Sequence, residues 1–395
     1  MEPNILVDQI LNKSIDLRAS DVHIEPLKNV CQVRFRIDGL LYNNLTLEKY
    51  IQEKLISCIK IKANISISEH RLPQDGHLEF IYKDKIYDIR VSTLQTIYGE
   101  AIVMRILNRH DILIKLEKLG METDQLDILN KVISCPSGMT LITGPTGAGK
   151  SFLLYSILNR LNKPEKNIIT VEDPIELQID HIRQTQVNEE IGLTFNRVLR
   201  SVIRQDPDVI MLGEIRDSDT ALQAVQASLT GILVLSTFHT FDIPALVTRF
   251  YEMGISISVI TQALTSVISV RLVRKICHMC RQDTTLSDFD KLVLKGIDLQ
   301  HYTWQKGKGC TACNNTGYLG RTGIFELVYL DDEIKTFIID KQPFENFNNL
   351  LIKKQIKKLR EAAINKVLLG ETTLDELVRV LGPTFLLNQS LPVKK

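Results

Sequence analysis

The chain has 395 residues, of which 44% are hydrophobic and 24% charged, and a formal net charge of +1. That length exceeds what one hydrophobic core supports, so two or three domains are expected. A near-neutral chain has no global field to hold a polyanion, which removes nucleic acid as the default partner.

No charged and apolar leader opens the chain, so the protein is expected to stay in the cytoplasm. From Val30 to Leu107 short runs alternate apolar and polar residues, as in Cys31-Gln-Val-Arg-Phe-Arg-Ile, with Asp38-Gly39 and Asp75-Gly76 as punctuation. Such alternation predicts a hairpin-rich α+β domain over residues 1–107. A charged connector, 108–122, leads into a helix over Asp124–Ser134 that Pro136 stops. Buried apolar runs at Met139, Asn167, Asp208 and Ile232 then alternate with helical patterns, predicting an α/β core with a parallel sheet over 123–274. The most apolar stretch, Gly254 to Val273, is broken by Ser, Thr and Gln and followed by Arg274, so it is not expected to span a membrane. A cysteine-bearing subdomain over 275–319 and a helical tail over 320–395 complete the chain.

Gly144-Pro145-Thr146-Gly147-Ala148-Gly149-Lys150-Ser151 lies between an apolar run and a helical pattern. Glycines at this spacing let successive backbone N–H groups turn inward around phosphate oxygens, and the following helix presents its positive end to them. Lys150 is expected on the β- and γ-phosphates of ATP, and the Ser151 hydroxyl on Mg²⁺. The run ending at Leu212 continues Gly213-Glu214-Ile-Arg216, with glycine where a P-loop ATPase often places a metal-binding aspartate. Glu214 is then the first carboxylate at a strand end. It either polarises the attacking water or caps a turn. Glu172-Asp173 ends another run, where carboxylates orient Mg²⁺ through its waters or simply form an Asp-Pro turn. His239 follows the last run, as a nucleotide sensor or a structural histidine.

Cys277-His-Met-Cys280 and Cys310-Thr-Ala-Cys313 each offer two thiolates from a tight turn. Together they predict a closed, structural Zn²⁺ site, with His278 as a competing ligand that four cysteines make unnecessary.

Taken in order, the motifs resemble the secretion ATPases of type II secretion and type IV pilus assembly (the GspE/PilB-like family). The segments are Ala19-Ser-Asp-Val-His-Ile-Glu-Pro, Val33-Arg-Phe-Arg-Ile-Asp-Gly, Arg71-Leu-Pro-Gln-Asp-Gly, the phosphate loop, Thr170-Val-Glu-Asp-Pro, Gly213-Glu-Ile-Arg-Asp, Leu229 to Thr240, and the cysteine pairs. The resemblance implies a RecA-like core, a PAS-like N-terminal domain equivalent to the family's second one, and a homohexamer that is peripheral at the membrane. An inner-membrane platform protein would be the partner. By the same resemblance Arg90 and Arg105 of the N-terminal domain, with Arg200, Arg204 and Arg216 of the core, would reach the phosphates, and ATP hydrolysis would drive the extrusion of pilin-like subunits. By the same resemblance the chain is expected to begin almost at the family's second N-terminal domain. Ile232 and Phe241 depart from the family's His box, and Phe152 and Leu153 from the residues usual after the loop. The other readings are an ATP-binding paralogue with little turnover and a zinc-ribbon nucleic-acid motor, the latter opposed by the neutral charge.

Overall fold

The alternation at Cys31-Gln-Val-Arg-Phe-Arg-Ile37 becomes a strand in which Cys31, Val33, Phe35 and Ile37 are buried and the intervening residues are not. It belongs to the first of two units, Met1–Ile112 and Leu113–Lys395. This computed structural model describes residues 2–108, 114–240, 242–299, 301–340 and 344–387. Residues 109–113 of the expected connector and Phe241 lie outside the described residues.

The first unit contains α1 (Pro3–Asp16), β1 (Ala19–Pro26), β2 (Val30–Ile37), β3 (Leu40–Glu48), α2 (Lys49–Lys62), β4 (Gln74–Tyr82), β5 (Lys85–Thr96) and β6 (Gly99–Asn108). Its strands form one antiparallel sheet in the order β3-β2-β1-β6-β5-β4. Leu6, Val7, Ile10 and Leu11 of α1 and Leu55 and Ile59 of α2 share a core with Val22, Ile24, Phe35, Ile89, Ile102 and Met104. Each such side chain contributes about 1.5–3 kcal/mol by leaving water. Asp38 and Gly39 both have positive φ between paired Ile37 and Leu40, a two-residue hairpin turn as expected. Asp75-Gly76 is not a turn: both residues lie inside β4. A Cβ on Gly76 would sit 2.5 Å from the Ala63 carbonyl oxygen, so this glycine permits a close approach. The β4–β5 turn falls instead at Lys83-Asp84, which carries no glycine signal.

The second unit opens with α3 (Thr123–Ile133) and continues with β7 (Gly138–Thr143), α4 (Lys150–Leu161), β8 (Ile168–Glu172), β9 (Arg183–Gln186), α5 (Phe195–Val202), β10 (Val209–Leu212), α6 (Ser218–Leu229), β11 (Leu233–Phe238), α7 (Ile243–Glu252), α8 (Ile257–Ala263) and β12 (Leu264–Ile276). After β13 (Arg281–Asp283), α9 (Asp288–Val293) and β14 (Gln305–Gly307) come β15 (Tyr318–Tyr329) and the helices α10 (Asp332–Ile339), α11 (Phe344–Lys353), α12 (Leu359–Leu368), α13 (Leu374–Leu381) and α14 (Pro383–Leu387).

The main sheet runs β15-β12-β7-β11-β10-β8-β9, parallel except for the antiparallel β12–β15 pair. Every residue of β7, β8, β10 and β11 is buried, as continuous apolar runs covered on both faces require. The chain leaves β7 through α4 and skips two positions before forming β8. β11 therefore separates the loop-bearing strand β7 from β10.

The apolar stretch ending at Val273 is α8 followed by β12, and no helix is long and apolar enough to cross a membrane. The tail expected to be helical begins with a strand, β15, paired along β12. Within this strand Gly323 N–H donates to Leu119 O at 2.8 Å, and a Cβ there would strike the Phe325 ring. Val293 and Leu294 of the cysteine-bearing insertion share a core with α12, α13 and α14. Arg360 ties these parts together, donating to Leu386 O at 2.7 Å and to Val293 O at 2.8 Å.

Candidate active site and metal centre

The phosphate loop joins β7 to α4, and Gly144, Gly147 and Gly149 take positive φ values of 150°, 76° and 93°. Side chains disfavour this backbone, which is why the turn needs glycine. Lys150 and Ser151 open the helix, so the N–H groups of its first turn face the loop. The Lys150 ammonium donates to Gly144 O at 2.7 Å and Pro145 O at 3.1 Å. Burial pushes its pKa down, and the charge of Glu214 partly offsets this.

Glu214 sits just beyond β10, beside the end of the adjacent strand β11. Three hydrogen bonds fix the backbone there: Gly213 N–H to Val171 O at 2.8 Å, Thr237 hydroxyl to Gly213 O at 2.7 Å, and Ile215 N–H to Thr237 O at 3.3 Å. One Glu214 oxygen accepts from Arg216 Nη2, and the other lies 3.1 Å from His239 Nε2. Arg216 also donates to Asp173 at 3.4 Å. Partial burial raises the Glu214 pKa, but Arg216 and then His239 outweigh it and hold the carboxyl below the usual glutamate range. Glu214, Arg216, Asp173 and His239 thus form one hydrogen-bonded group, and Lys150 feels its charge. Such a group can orient and polarise a water and spread negative charge over fixed donors.

Other expected residues lie elsewhere. Glu172 is buried and accepts from the Tyr155 hydroxyl, from Thr170 Oγ1 at 2.5 Å and from Gln184 Nε2 at 3.0 Å. Of the acidic pair, only Asp173 joins Glu214's group. Tyr155, which sequence reasoning passed over as part of an apolar helix, anchors α4 to the end of β8 through this network. Arg200 and Arg204 are exposed, and Arg204 donates to Arg200 O at 2.8 Å and to Ser201 Oγ at 3.3 Å. Among the described residues no ion pair links either to Glu214 or Asp173.

In the first unit Arg90 and Arg105 stand opposite each other on β5 and β6, and Arg105 donates to Asp21 at 3.0 Å. Directly opposed like charges on neighbouring strands are unfavourable. Of the residues that depart from the family after the loop, Leu153 is buried in the core and Phe152 is half-buried.

Ile232 lies one residue before β11, seven residues before His239, or about 23 Å away at about 3.3 Å per strand residue. It lines a depression of about 440 Å³ with Lys166, Asn167, Asp206, Asp208 and Thr230, at the opposite end of the strands from the phosphate loop. Its departure from the His-box pattern therefore leaves the geometry around Glu214 untouched.

The sulfurs of Cys277, Cys280, Cys310 and Cys313 lie within 4.8 Å of one another, with close pairs at 3.9, 3.8 and 3.7 Å. A tetrahedral zinc ion with Zn–S bonds of about 2.3 Å places its sulfurs about 3.8 Å apart, so the donor set fits the ion. Cys310 N–H and Gly317 N–H donate to Cys313 Sγ at 3.2 and 3.3 Å, as thiolates in such knuckles require. His278 is exposed and outside the group.

Residues 3–379 match the family model described as type II/IV secretion system protein. Among curated relatives, the type II secretion system protein E of Aeromonas hydrophila is 42% identical over 377 residues, covering 95% of this chain and 75% of that protein. The type II secretion system ATPase E of Vibrio cholerae is 41% identical over 375 residues, covering 95% and 74%. The type IV pilus assembly ATPase PilB of Thermus thermophilus is 44% identical over 374 residues, covering 94% of this chain but 42% of that longer protein. Among solved structures, the Legionella pneumophila ATPase DotB superposes with a TM-score of 0.71 at 21% identity, covering 95% of each chain. The pilus retraction motor PilT with bound ADP superposes with a TM-score of 0.64 at 23% identity, covering 94% and 96%. At these identities the two structures bear on the fold alone.

Proposed function

Because the chain belongs to the type II/IV secretion system protein family, we propose that it is a Mg²⁺-dependent ATPase whose hydrolysis cycle powers the export of pilin-like subunits by a secretion or pilus machine. The observation that carries this reading is the ionised Glu214 carboxylate, gripped by Arg216 and His239 at the strand end beside the phosphate loop. In the proposed cycle the loop N–H groups and Lys150 bind the β- and γ-phosphates, and Glu214 orients the attacking water. Ser151 would hold Mg²⁺, with Asp173 orienting it through water, and the ion would neutralise charge at the phosphates. Glu172 acts indirectly, by holding Asp173 in place.

Arg216 releases Asp173 to follow the charge that develops on the phosphoryl oxygens, and Arg90 and Arg105 are further phosphate ligands delivered by the first unit. Arg200 and Arg204, exposed and without a carboxylate partner among the described residues, suit the same role toward a neighbouring copy in a homohexamer. An inner-membrane platform protein is the proposed partner, contacted from the cytoplasm, and the zinc site is structural.

The low-turnover reading rested on the altered His box. The separation of Ile232 from His239 speaks against the part of that support that rests on Ile232, and Phe241 lies outside the described residues.

The test is steady-state ATP hydrolysis by the full chain and by E214Q. The intact chain is expected to hydrolyse ATP. E214Q is expected to bind Mg-ATP with unchanged affinity while losing at least about a hundredfold in turnover, the scale on which positioned general bases act. Full activity in E214Q would remove the water-orienting role, and no activity in either would remove the motor.

A further inference from the structure

The flank of the phosphate loop carries a cation that the chain itself does not neutralise. β12 runs beside β7 as far as the Ser269–Thr143 pair, and its next residues wall the loop. Val270 O lies 2.7 Å, and a guanidinium nitrogen of Arg271 3.1 Å, from where a Cβ on Gly144 would be. The Leu272 side chain stands in the same relation to Gly149.

Arg271 is only 8% exposed, yet among the described residues its guanidinium has a single hydrogen-bond acceptor, Val270 O at 2.8 Å, and no carboxylate within ion-pair reach. Lys150 across the loop is of the same sign, and Arg271 makes it harder to protonate. Among the described residues the acid that acts on Arg271 electrostatically is Glu326, whose own carboxyl is half-buried and pushed up by desolvation, which makes it a poor counter-charge. A buried guanidinium facing another cation is strongly unfavourable unless an anion joins it. Its planar fork matches two phosphate oxygens.

We propose that Arg271 is a phosphate-binding residue of this site, taking an oxygen of a bound nucleoside di- or triphosphate so that Lys150 and Arg271 hold the phosphates from two sides of the loop. The proposal rests on the reading of the loop as a nucleotide site and adds a ligand to it. An arginine that merely propped up the loop would stabilise the chain with or without nucleotide. One that serves an anion destabilises the chain alone and stabilises the complex.

The experiment measures thermal unfolding of the full-length wild type, R271Q and R271K, together with equilibrium binding of Mg-ADP and a non-hydrolysable Mg-ATP analogue. R271Q is expected to melt at or above the wild-type temperature without nucleotide. It should bind at least one of the two nucleotides about tenfold to a hundredfold more weakly, as loss of a charge-assisted hydrogen bond implies. R271K, which keeps the charge and loses the fork, falls between. Should R271Q melt lower and bind both nucleotides as well as the wild type, Arg271 is a prop and the proposal is overturned. If R271Q does not fold, wild-type affinity in R271K has the same meaning. A wild-type chain that binds neither nucleotide overturns the nucleotide-site reading along with it, whereas tight wild-type binding unaltered in R271Q removes Arg271 alone.

Discussion

Glu376, fully buried on α13, is the keystone of the junction between the cysteine module and the C-terminal helices. It accepts from Arg274 Nε at 2.9 Å, Arg274 Nη2 at 2.7 Å, the Arg274 backbone N–H at 2.9 Å and Arg379 Nε at 2.8 Å. Arg274 in turn stacks 3.9 Å from the centre of the Tyr318 ring. E376Q keeps the shape and deletes the charge, leaving Arg274 buried without its anion. Breaking a buried pair in this way costs about 3–5 kcal/mol. The half-exposed Arg379 adds no more than about 0.5 kcal/mol, because solvent screens it. At about 2–4 °C per kcal/mol for a unit of this size, a drop of about 6–22 °C in melting temperature is expected.

Burial raises the Glu376 pKa, but Arg379 and Arg274 overcome it and hold the carboxyl below the usual range. Its stabilisation is therefore complete above the unfolded-state pKa and fades as pH falls through the folded-state value. Differential scanning calorimetry between pH 7 and pH 3 should find wild type and E376Q converging at the acid end. A gap below about 2 °C at pH 7, or one that does not narrow with acid, would refute the argument.

Three further outcomes are expected. R216A removes the larger of the two groups that depress Glu214 and leaves His239 alone against burial, so the acid limb of the pH–rate profile should move to higher pH; a stationary limb would deny that Glu214 titrates there. C310S should lose its bound zinc, measured by elemental analysis, and melt lower while still binding nucleotide; retained stoichiometric zinc would contradict the four-thiolate site. Y155F strips a donor from buried Glu172 and should lower stability by about 1–3 kcal/mol in denaturant titrations. An unchanged midpoint would mean that the network is slack.

Much of the site was legible because the P-loop, the strand-end glutamate and the paired cysteines are local patterns. Backbone geometry demands particular residues at fixed spacing there. What the sequence concealed depends on tertiary proximity. Gly76 and Gly323 carry the same letter as turn glycines, and only the approach of Ala63 and of Phe325 with Leu119 distinguishes them. Glu172 adjoins Asp173 in sequence, but successive residues at a strand end face opposite ways, so one carboxylate entered the interior and the other joined Arg216. Arg271 lies within the apolar stretch that ends at Val273, and nothing local reveals that β12 lies against the phosphate loop.

That adjacency has a mechanical side. β12 pairs with β7 through Ser269 and then continues to Ile276 as a ladder with β15 alone, and the next residue is Cys277. Seven residues past Ser269 span about 23 Å at about 3.3 Å each. Hydrogen-bonded along its length to β15, and tied at its far end to the C-terminal helices through Arg274–Glu376 and Ile276 N–H to Glu371 O, this ribbon forms a stiff lever that starts at the nucleotide end. A rotation of about 5° at that end would move the far end, and the helices tied to it, by about 2 Å at a length of about 23 Å.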